Sequence, residues 1–321
     1  MLENITRALI SVSDKSNLEN LINFLTENNI EIISTGGTYK KISQLTDKVK
    51  EVSEFTGAAE ILDGRVKTLH PKIHGPILSK KDDPKHQQQL QENNISNIDL
   101  VIVNLYPFTE TVASGADAAK IIENIDIGGP SMLRSAAKNF KYITVISDPA
   151  DYDELITELK SNNQKTSLEF RQKMAVKTFA KTAKYDAAIY NWFSENDQSE
   201  KTDIIISATL KQKLRYGENP HQKAALYAIN NSGIISGEQI QGKELSYNNI
   251  NDSDNAYKLI QEFSEPAAAI IKHNNPCGVA IGADIFSAYT KALSSDPVSS
   301  FGGIIALNRP LDLKTAEKIK E

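Results

Sequence analysis

One cysteine, Cys277, one tryptophan and three methionines are found in 321 residues. A single thiol excludes an internal disulfide framework and supplies too few ligands for a cysteine-based zinc site, so no metal is expected. No apolar run approaches the ~18 residues that a membrane-spanning helix requires. The opening MLENITRALISV lacks the basic segment and apolar stretch of a secretory signal. A cytoplasmic protein with no membrane association is therefore expected. Positive charge is not in excess either. The 36 Lys and Arg against 41 Asp and Glu give a net charge of -5, which argues against a nucleic-acid partner but leaves room for a local anion pocket. GxGxxG and HExxH are both absent, so neither a dinucleotide cofactor nor a helical zinc site is supported.

What is present suffices for a buried core: 40% of residues are hydrophobic, over a length that favours two domains. Arg7–Val12 reads as a buried strand, with Ser13 or Asp14 as cap for a helix on which Leu18, Leu21, Ile22 and Leu25 share a face. Asn28-Asn29 stops it. Strands follow at Glu31–Ile33, Asp99–Leu105 and Tyr142–Ile146, with helices after Thr38, after Gly128-Gly129-Pro130, near 150–160 and over 167–193. Such βαβα alternation predicts a mostly parallel α/β sheet covered by helices on both faces.

The polar stretch NDQSEK, 196–201, is the expected boundary, giving domains at 1–195 and 202–321. The second part restarts at Asp203–Ala208. It then shows a strand over Ala267–Ile271 leading into a loop, a helix near Ile285–Leu293, a strand near Gly303–Leu307 and a helical ending, LDLKTAEKIKE. That ending has no clear cap and suggests a chain that stops inside a larger domain.

Two strand-to-helix turns carry anion chemistry. Ser34-Thr35-Gly36-Gly37-Thr38 offers hydroxyls and unhindered amides at the positive end of a helix, and Ser13-Asp14-Lys15 occupies the same kind of position after the first strand. Each alone is an ordinary turn, but two side by side point to phosphate. In GRVKTLHP, an extended Arg65 and Lys67 would project on one side. His70 and His74 have i, i+4 spacing, but Pro71 and Gly75-Pro76 oppose a regular helix through both, and structural roles are expected of them. Asn104, Tyr106, Asp126 and Lys138 fall near strand ends or helix starts, where α/β sites gather. Gly237–Lys243 matches most of a P-loop, but Glu244 stands where the Mg²⁺ ligand belongs, a chance match. Lys272-His273 follows a buried strand and is a candidate proton-handling pair.

Nine motifs in order carry a resemblance: SVSDKSNL, STGGT, GRVKTLHPKIHG, NLYPF, IDIGGPSMLRSAAKN, LRYGENPHQ, GKELSYNN, KHNNPCG and DPVSSFGG. Through them the chain resembles the bifunctional purine-biosynthesis family that combines 5-aminoimidazole-4-carboxamide ribonucleotide (AICAR) formyltransferase with IMP cyclohydrolase. The resemblance implies an N-terminal methylglyoxal-synthase-like domain closing formyl-AICAR to IMP. It also implies part of a cytidine-deaminase-like domain that formylates AICAR with 10-formyltetrahydrofolate, without zinc, in a homodimer. It assigns cyclohydrolase catalysis to Lys67, Tyr106, Asp126 and Lys138. Nucleotide contacts fall to Ser13, Asp14, Lys15, Ser34, Thr35, Gly36, Gly37, Arg65, Thr68, Asn104 and Gly128. For the formyl transfer it implies proton handling by Lys272 and His273 and nucleotide contacts from Arg215, Tyr216 and Asn248. Family members continue beyond Glu321, so an intact cyclohydrolase and an incomplete transformylase are the expectation. A methylglyoxal-synthase-like lyase would explain only the phosphate turns, and a nucleotide-sensing regulatory module would need only the phosphate site.

Overall fold

The computed structural model describes residues 4–197 and 203–320. The chain divides into two compact units, Met1–Ile205 and Ile206–Glu321. Part of the expected boundary, 198–201, lies outside the described residues.

In the first unit five strands form one parallel sheet: β1 (Arg7–Val12), β2 (Glu31–Ser34), β3 (Val49–Glu51), β4 (Leu100–Asn104) and β5 (Thr144–Ile146). The order is β3-β2-β1-β4-β5, so the winding reverses between β1 and β4. β4, LVIVN, is buried at every position, as expected of a strand with helices on both faces. The helices that frame the site and core are α1 (Leu18–Glu27), α2 (Gly36–Ile42), α3 (Pro71–Leu78), α4 (Gly128–Lys138), α5 (Tyr152–Ser161) and the 29-residue α6 (Leu168–Asn196), with further helices between them. α4 packs against both α3 and α6. Ala136 and Ala137 of α4 and Met174 and Ala175 of α6 belong to the core that covers β1 and β4.

The structure refines the sequence pattern at three places. Neither Ser13 nor Asp14 caps α1; the residue ahead of it is Asn17, in the left-handed region at φ 58°, with no capping hydrogen bond from its side chain. Asp14 Oδ1 instead accepts from the Ser16 amide at 2.9 Å and from its hydroxyl at 2.5 Å, a tight polar turn. A helix forms through Gly75-Pro76 but begins at Pro71, so no helix runs through both His70 and His74, as expected. Pro71 opens α3 where its missing N–H costs nothing, and His70 caps it, Nδ1 accepting from the Lys72 amide at 3.1 Å. β3 escapes the sequence pattern because Val49 is the only apolar residue in a three-residue edge strand.

At the start of the interior strand β4, between β1 and β5, Asp99 is buried. Its Oδ2 accepts from the Thr6 amide and hydroxyl, each 2.8 Å, and the Arg7 amide at 3.0 Å, while Lys81 Nζ lies 2.5 Å from Oδ1. Burial opposes ionisation, but the Lys81 charge and these donors outweigh it and hold the carboxyl below its ordinary range. A depressed folded pKa contributes stability above the unfolded value, lost as pH falls through the folded one. Asp99→Asn is expected to cost about 3–5 kcal/mol at neutral pH. Its urea midpoint should also fall less than the wild type's between pH 7 and pH 3.

The second unit is built on a three-stranded antiparallel sheet of order β10-β8-β9 and a two-stranded ribbon of β6 and β7. β6 (Thr209–Lys213), β7 (Ala225–Ala228) and α7 (Tyr247–Ile260) precede β8 (Ala267–Lys272) and β9 (Asn275–Ile281), and α8 (Ile285–Ser295), β10 (Ile304–Leu307) and α9 (Leu313–Lys320) follow. Its first strand begins at Thr209, after Asp203–Ala208. The loop expected after Ile271 is a two-residue hairpin. His273 (φ 52°) and Asn274 (φ 66°) are both left-handed, the pattern of a type I′ turn. A Cβ on Gly278 of β9 would come within 1.9 Å of the Ala292 carbonyl oxygen, so α8 lies on the strand at a distance only glycine permits. Gly237–Lys243 forms loop, with the next helix opening at Tyr247, which confirms that the P-loop match is fortuitous. Among the described residues no helix is long and apolar enough to cross a membrane.

Candidate active site

β1 and β4 end side by side, Val12 paired with Asn104, at the point where the winding reverses. Chains leaving such a point diverge and open a crevice. Its floor is fixed by polar side chains. Asn104 Oδ1 accepts from the amides of Ser13 (2.6 Å) and Asp14 (2.9 Å), and its Nδ2 donates to the Asp14 carbonyl at 2.8 Å. Thr38 Oγ1 accepts from the Val12 amide at 3.0 Å and donates to the Val12 carbonyl at 2.9 Å. Ser34 donates to the Ile10 carbonyl at 2.8 Å, and the hydroxyls of Ser11 and Thr35 lie 2.8 Å apart. These bonds tie the turn after β1 to the turn after β2, so the two expected phosphate turns are held against each other.

A cavity of about 580 Å³ opens above them. Ser13, Lys15, Thr35–Gly37, Arg65, Lys67, Thr68, Tyr106, Asp126 and Gly128 line it, with the Thr68 hydroxyl directly against Gly128. Ile122, Ile125, Ile127 and Met132 supply an apolar wall. An apolar wall with a few convergent polar groups is the usual composition of a small-molecule site.

Arg65 and Lys67 reach the cavity by an unexpected route. The segment is not extended: Ile61 and Val66 bridge a reversal in which Leu62, Asp63 and Gly64 all have positive φ. Arg65 pairs with Glu123 at the surface. Lys67 Nζ lies 3.4 Å from Glu60 Oε2. It also approaches Gly36, which has φ +42°; a Cβ at Gly36 would sit 3.4 Å from Nζ, so the ammonium lies against the turn after β2.

Asp126 stands at the opening of α4. Its Oδ1 accepts from the Gly129 amide at 2.8 Å, and its own amide donates to the Tyr185 hydroxyl at 2.8 Å. Burial raises its pKa above the ordinary carboxylate value, against the pull of the Gly129 and Tyr106 amides and the Lys67 charge. Tyr106 is raised too, by burial first and then by Asp126, Glu60 and Glu123. The phenol therefore stays a proton donor at neutral pH, beside a carboxylate more basic than one on the surface.

Of the cyclohydrolase residues expected from sequence, Lys67, Tyr106 and Asp126 meet at this cavity. Lys138 does not line it. It is exposed at the last residue of α4, and ten residues at ~1.5 Å rise place it about 15 Å along the axis from Gly128. Asp14 and Ser34 also fall outside the lining, their side chains spent on the turns described above, and Asn104 lines the cavity while strapping the turn. Ser11, Glu60, Glu123 and Tyr185 were missed. A serine inside a strand carries no sequence signal of its own, and Tyr185 lies fifty-nine residues beyond the group it touches.

In the second unit Arg215 stacks on Tyr216, guanidinium carbon 4.9 Å from the ring centre, and the Tyr247 amide donates to the Tyr216 carbonyl at 3.2 Å. Asn248 donates to the Glu218 carbonyl at 3.4 Å. Asp252 accepts the Asn274 amide at 2.8 Å, and Asn255 donates to the Asn274 side chain at 3.2 Å. Residues 248, 252 and 255 share one face of α7, which thus carries the Arg215-Tyr216 loop at one end and the Lys272-His273 hairpin further along. His273 is exposed, and Lys272 Nζ donates to the Phe301 carbonyl at 2.9 Å. Cys277 is a free thiol, and among the described residues no cluster of three or more metal-ligating side chains occurs.

A family model described as the AICARFT/IMPCHase bienzyme matches residues 136–321, and one described as an MGS-like domain matches 17–131. The bifunctional purine biosynthesis protein PurH of Rhodospirillum rubrum is 54% identical over 318 residues, 98% of this chain and 60% of the relative. The protein of the same name from Rhizobium johnstonii is 51% identical over 321 residues, with 98% and 60% covered. That from Parvibaculum lavamentivorans is 53% identical over 324 residues, with 99% and 60% covered. The chain therefore spans about 60% of the length of these curated relatives. A solved structure, "Crystal structure of ForH", is 34% identical with a TM-score of 0.53, over 59% of this chain and 97% of that one.

Proposed function

We propose, from the premise that the chain belongs to the AICARFT/IMPCHase bienzyme family, that its first unit is a cyclohydrolase closing formyl-AICAR to IMP. The observation that carries the reading is the convergence of Lys67, Tyr106 and Asp126 on the one cavity that also holds both phosphate turns. In formyl-AICAR the nucleophile and electrophile belong to one molecule, so the site has to hold an attack geometry and move protons. The phosphate rests on the turns at Ser13, Lys15 and Thr35–Gly37, with Arg65, Thr68 and Gly128 as further nucleotide contacts, and the base lies against the isoleucine wall.

The carboxamide nitrogen attacks the formyl carbon. Asp126 takes a proton from that nitrogen as the C–N bond forms, and negative charge grows on the formyl oxygen. Lys67 stabilises that charge, and the Tyr106 hydroxyl orients the formyl group. Loss of the formamide N–H proton and departure of the former formyl oxygen complete the ring as the C=N bond forms; one proton from each nitrogen and that oxygen leave as water. Lys138 receives no role within this cavity.

The second unit is read as part of the formyltransferase, in which 10-formyltetrahydrofolate supplies the formyl group to the AICAR amine. Lys272 and His273 would manage the amine proton, and Arg215, Tyr216 and Asn248 would contact the nucleotide. A cytoplasmic homodimer without a metal cofactor completes the proposal. The test is an absorbance assay of residues 1–321 with formyl-AICAR, following IMP. Turnover is expected, lowered ~10²–10³-fold in Lys67→Ala, the typical cost of one preorganised charge-stabilising donor. IMP binding without turnover would instead indicate a nucleotide sensor.

A further inference from the structure

Asp126 sits on irregular backbone between the short helix Ala118–Glu123 and α4. A group that must meet a substrate atom within a few tenths of an ångström needs support that loop backbone does not provide by itself. Here that support comes from α6. The Tyr185 hydroxyl accepts the Asp126 amide at 2.8 Å and donates to the Asn124 carbonyl at 3.0 Å, so one oxygen ties residues 124 and 126 of the connecting loop together. The ring is fixed in turn, meeting Phe108 edge-on with centroids 6.1 Å apart and planes at 70°. Burial raises the phenol to about 12, so the hydroxyl keeps its proton at working pH and the clamp does not titrate.

We infer that Tyr185 is a positioning residue for ring closure, acting through Asp126 from the far side of the loop. The inference rests on the reading of Asp126 as the proton acceptor. Without the hydroxyl, the Asp126 amide and the Asn124 carbonyl lose their shared partner, and the loop relaxes toward groups that can satisfy them, water first. The groups facing Asp126 are Lys67 from the reversal at 61–66, Tyr106 after β4, the Gly129 amide of α4, and Tyr185 itself, with Asp186 beside it on α6. Desolvation is the chief cause holding the carboxyl up, so admitting water moves its titration toward the ordinary value.

The experiment measures kcat, KM and the pH profile of IMP formation for wild type, Tyr185→Phe and Asp126→Asn. Tyr185→Phe keeps the ring against Phe108. It is expected to lower kcat about 10-fold with KM within about 2-fold, and to move the acid limb of kcat to lower pH. An unchanged kcat, or a fall in kcat with the acid limb in place, overturns the inference while Asp126→Asn remains inactive. Full turnover in Asp126→Asn overturns the underlying reading instead, whatever Tyr185→Phe does. Should Tyr185→Phe not fold, 3-fluorotyrosine at position 185 weakens the acceptor without removing it. A smaller change of the same sign in kcat and in the acid limb is then expected, and wild-type values would overturn the inference.

Discussion

Asp126→Asn is expected to lower turnover of formyl-AICAR by ~10²–10⁴-fold, the span associated with a positioned general base, while raising the melting temperature. The two effects share one cause. Burial lifts the folded-state pKa of this carboxyl above its unfolded value. A raised carboxyl pKa favours folding below the unfolded value and loses that advantage as pH rises through the folded one. At neutral pH the ionised, desolvated group therefore costs stability, and asparagine relieves the cost. It can also keep an oxygen for the Gly129 amide, which Oδ1 now accepts at 2.8 Å. Nucleotide affinity should change little, because the phosphate turns lie elsewhere in the cavity. Wild-type turnover in this variant would remove Asp126 from the chemistry and favour a module that binds nucleotide without converting it. Calorimetry of the same samples checks the second half, where a lower melting temperature would show that the carboxylate is a net structural asset.

Gly129→Ala is the second large effect, argued from space alone. A Cβ at this position would stand 2.4 Å from Asp126 Oδ2, 2.9 Å from its Cγ and 2.9 Å from Leu105 Cδ2. Leu105 follows β4 and packs on the core, so the carboxylate is the group that yields. Displacing a catalytic group by about 1 Å costs on the order of 10² in rate. The variant should therefore lose about 100-fold in kcat and keep most of its affinity for IMP. Kinetics with parallel IMP titration would show it. An unchanged kcat would mean that the loop can absorb a methyl group, and that its geometry is less demanding than proposed.

Much of the first unit was legible because its signals are local. Apolar runs of four to six residues between turns give strands buried on both faces, and α1, α5 and α6 announce themselves by apolar residues at helical spacing. The two phosphate turns were legible for the same reason: glycine and hydroxyl residues between a strand and a helix carry their chemistry on the backbone. Local signals misled where backbone conformation has to answer to tertiary packing. Arg65 and Lys67 reach the cavity through a reversal with three successive positive φ values, including Leu62, a residue that sequence preference would not place there.

The sequence by itself determined that this chain builds a parallel α/β unit with two adjacent anion-binding turns, and its ordered motifs determined the family. Strand patterns and turn residues act over a few positions, and motif order survives without reference to space. Only the tertiary structure decided which polar groups share the cavity. It brought Lys67, Tyr106 and Asp126 together from three separate segments, left Lys138 about three helical turns from Gly128, and recruited Tyr185 from fifty-nine residues beyond Asp126. The physical reason is that a site residue is selected by direction and distance. Both are set by how β4, α4 and α6 pack, which no stretch of the chain encodes alone.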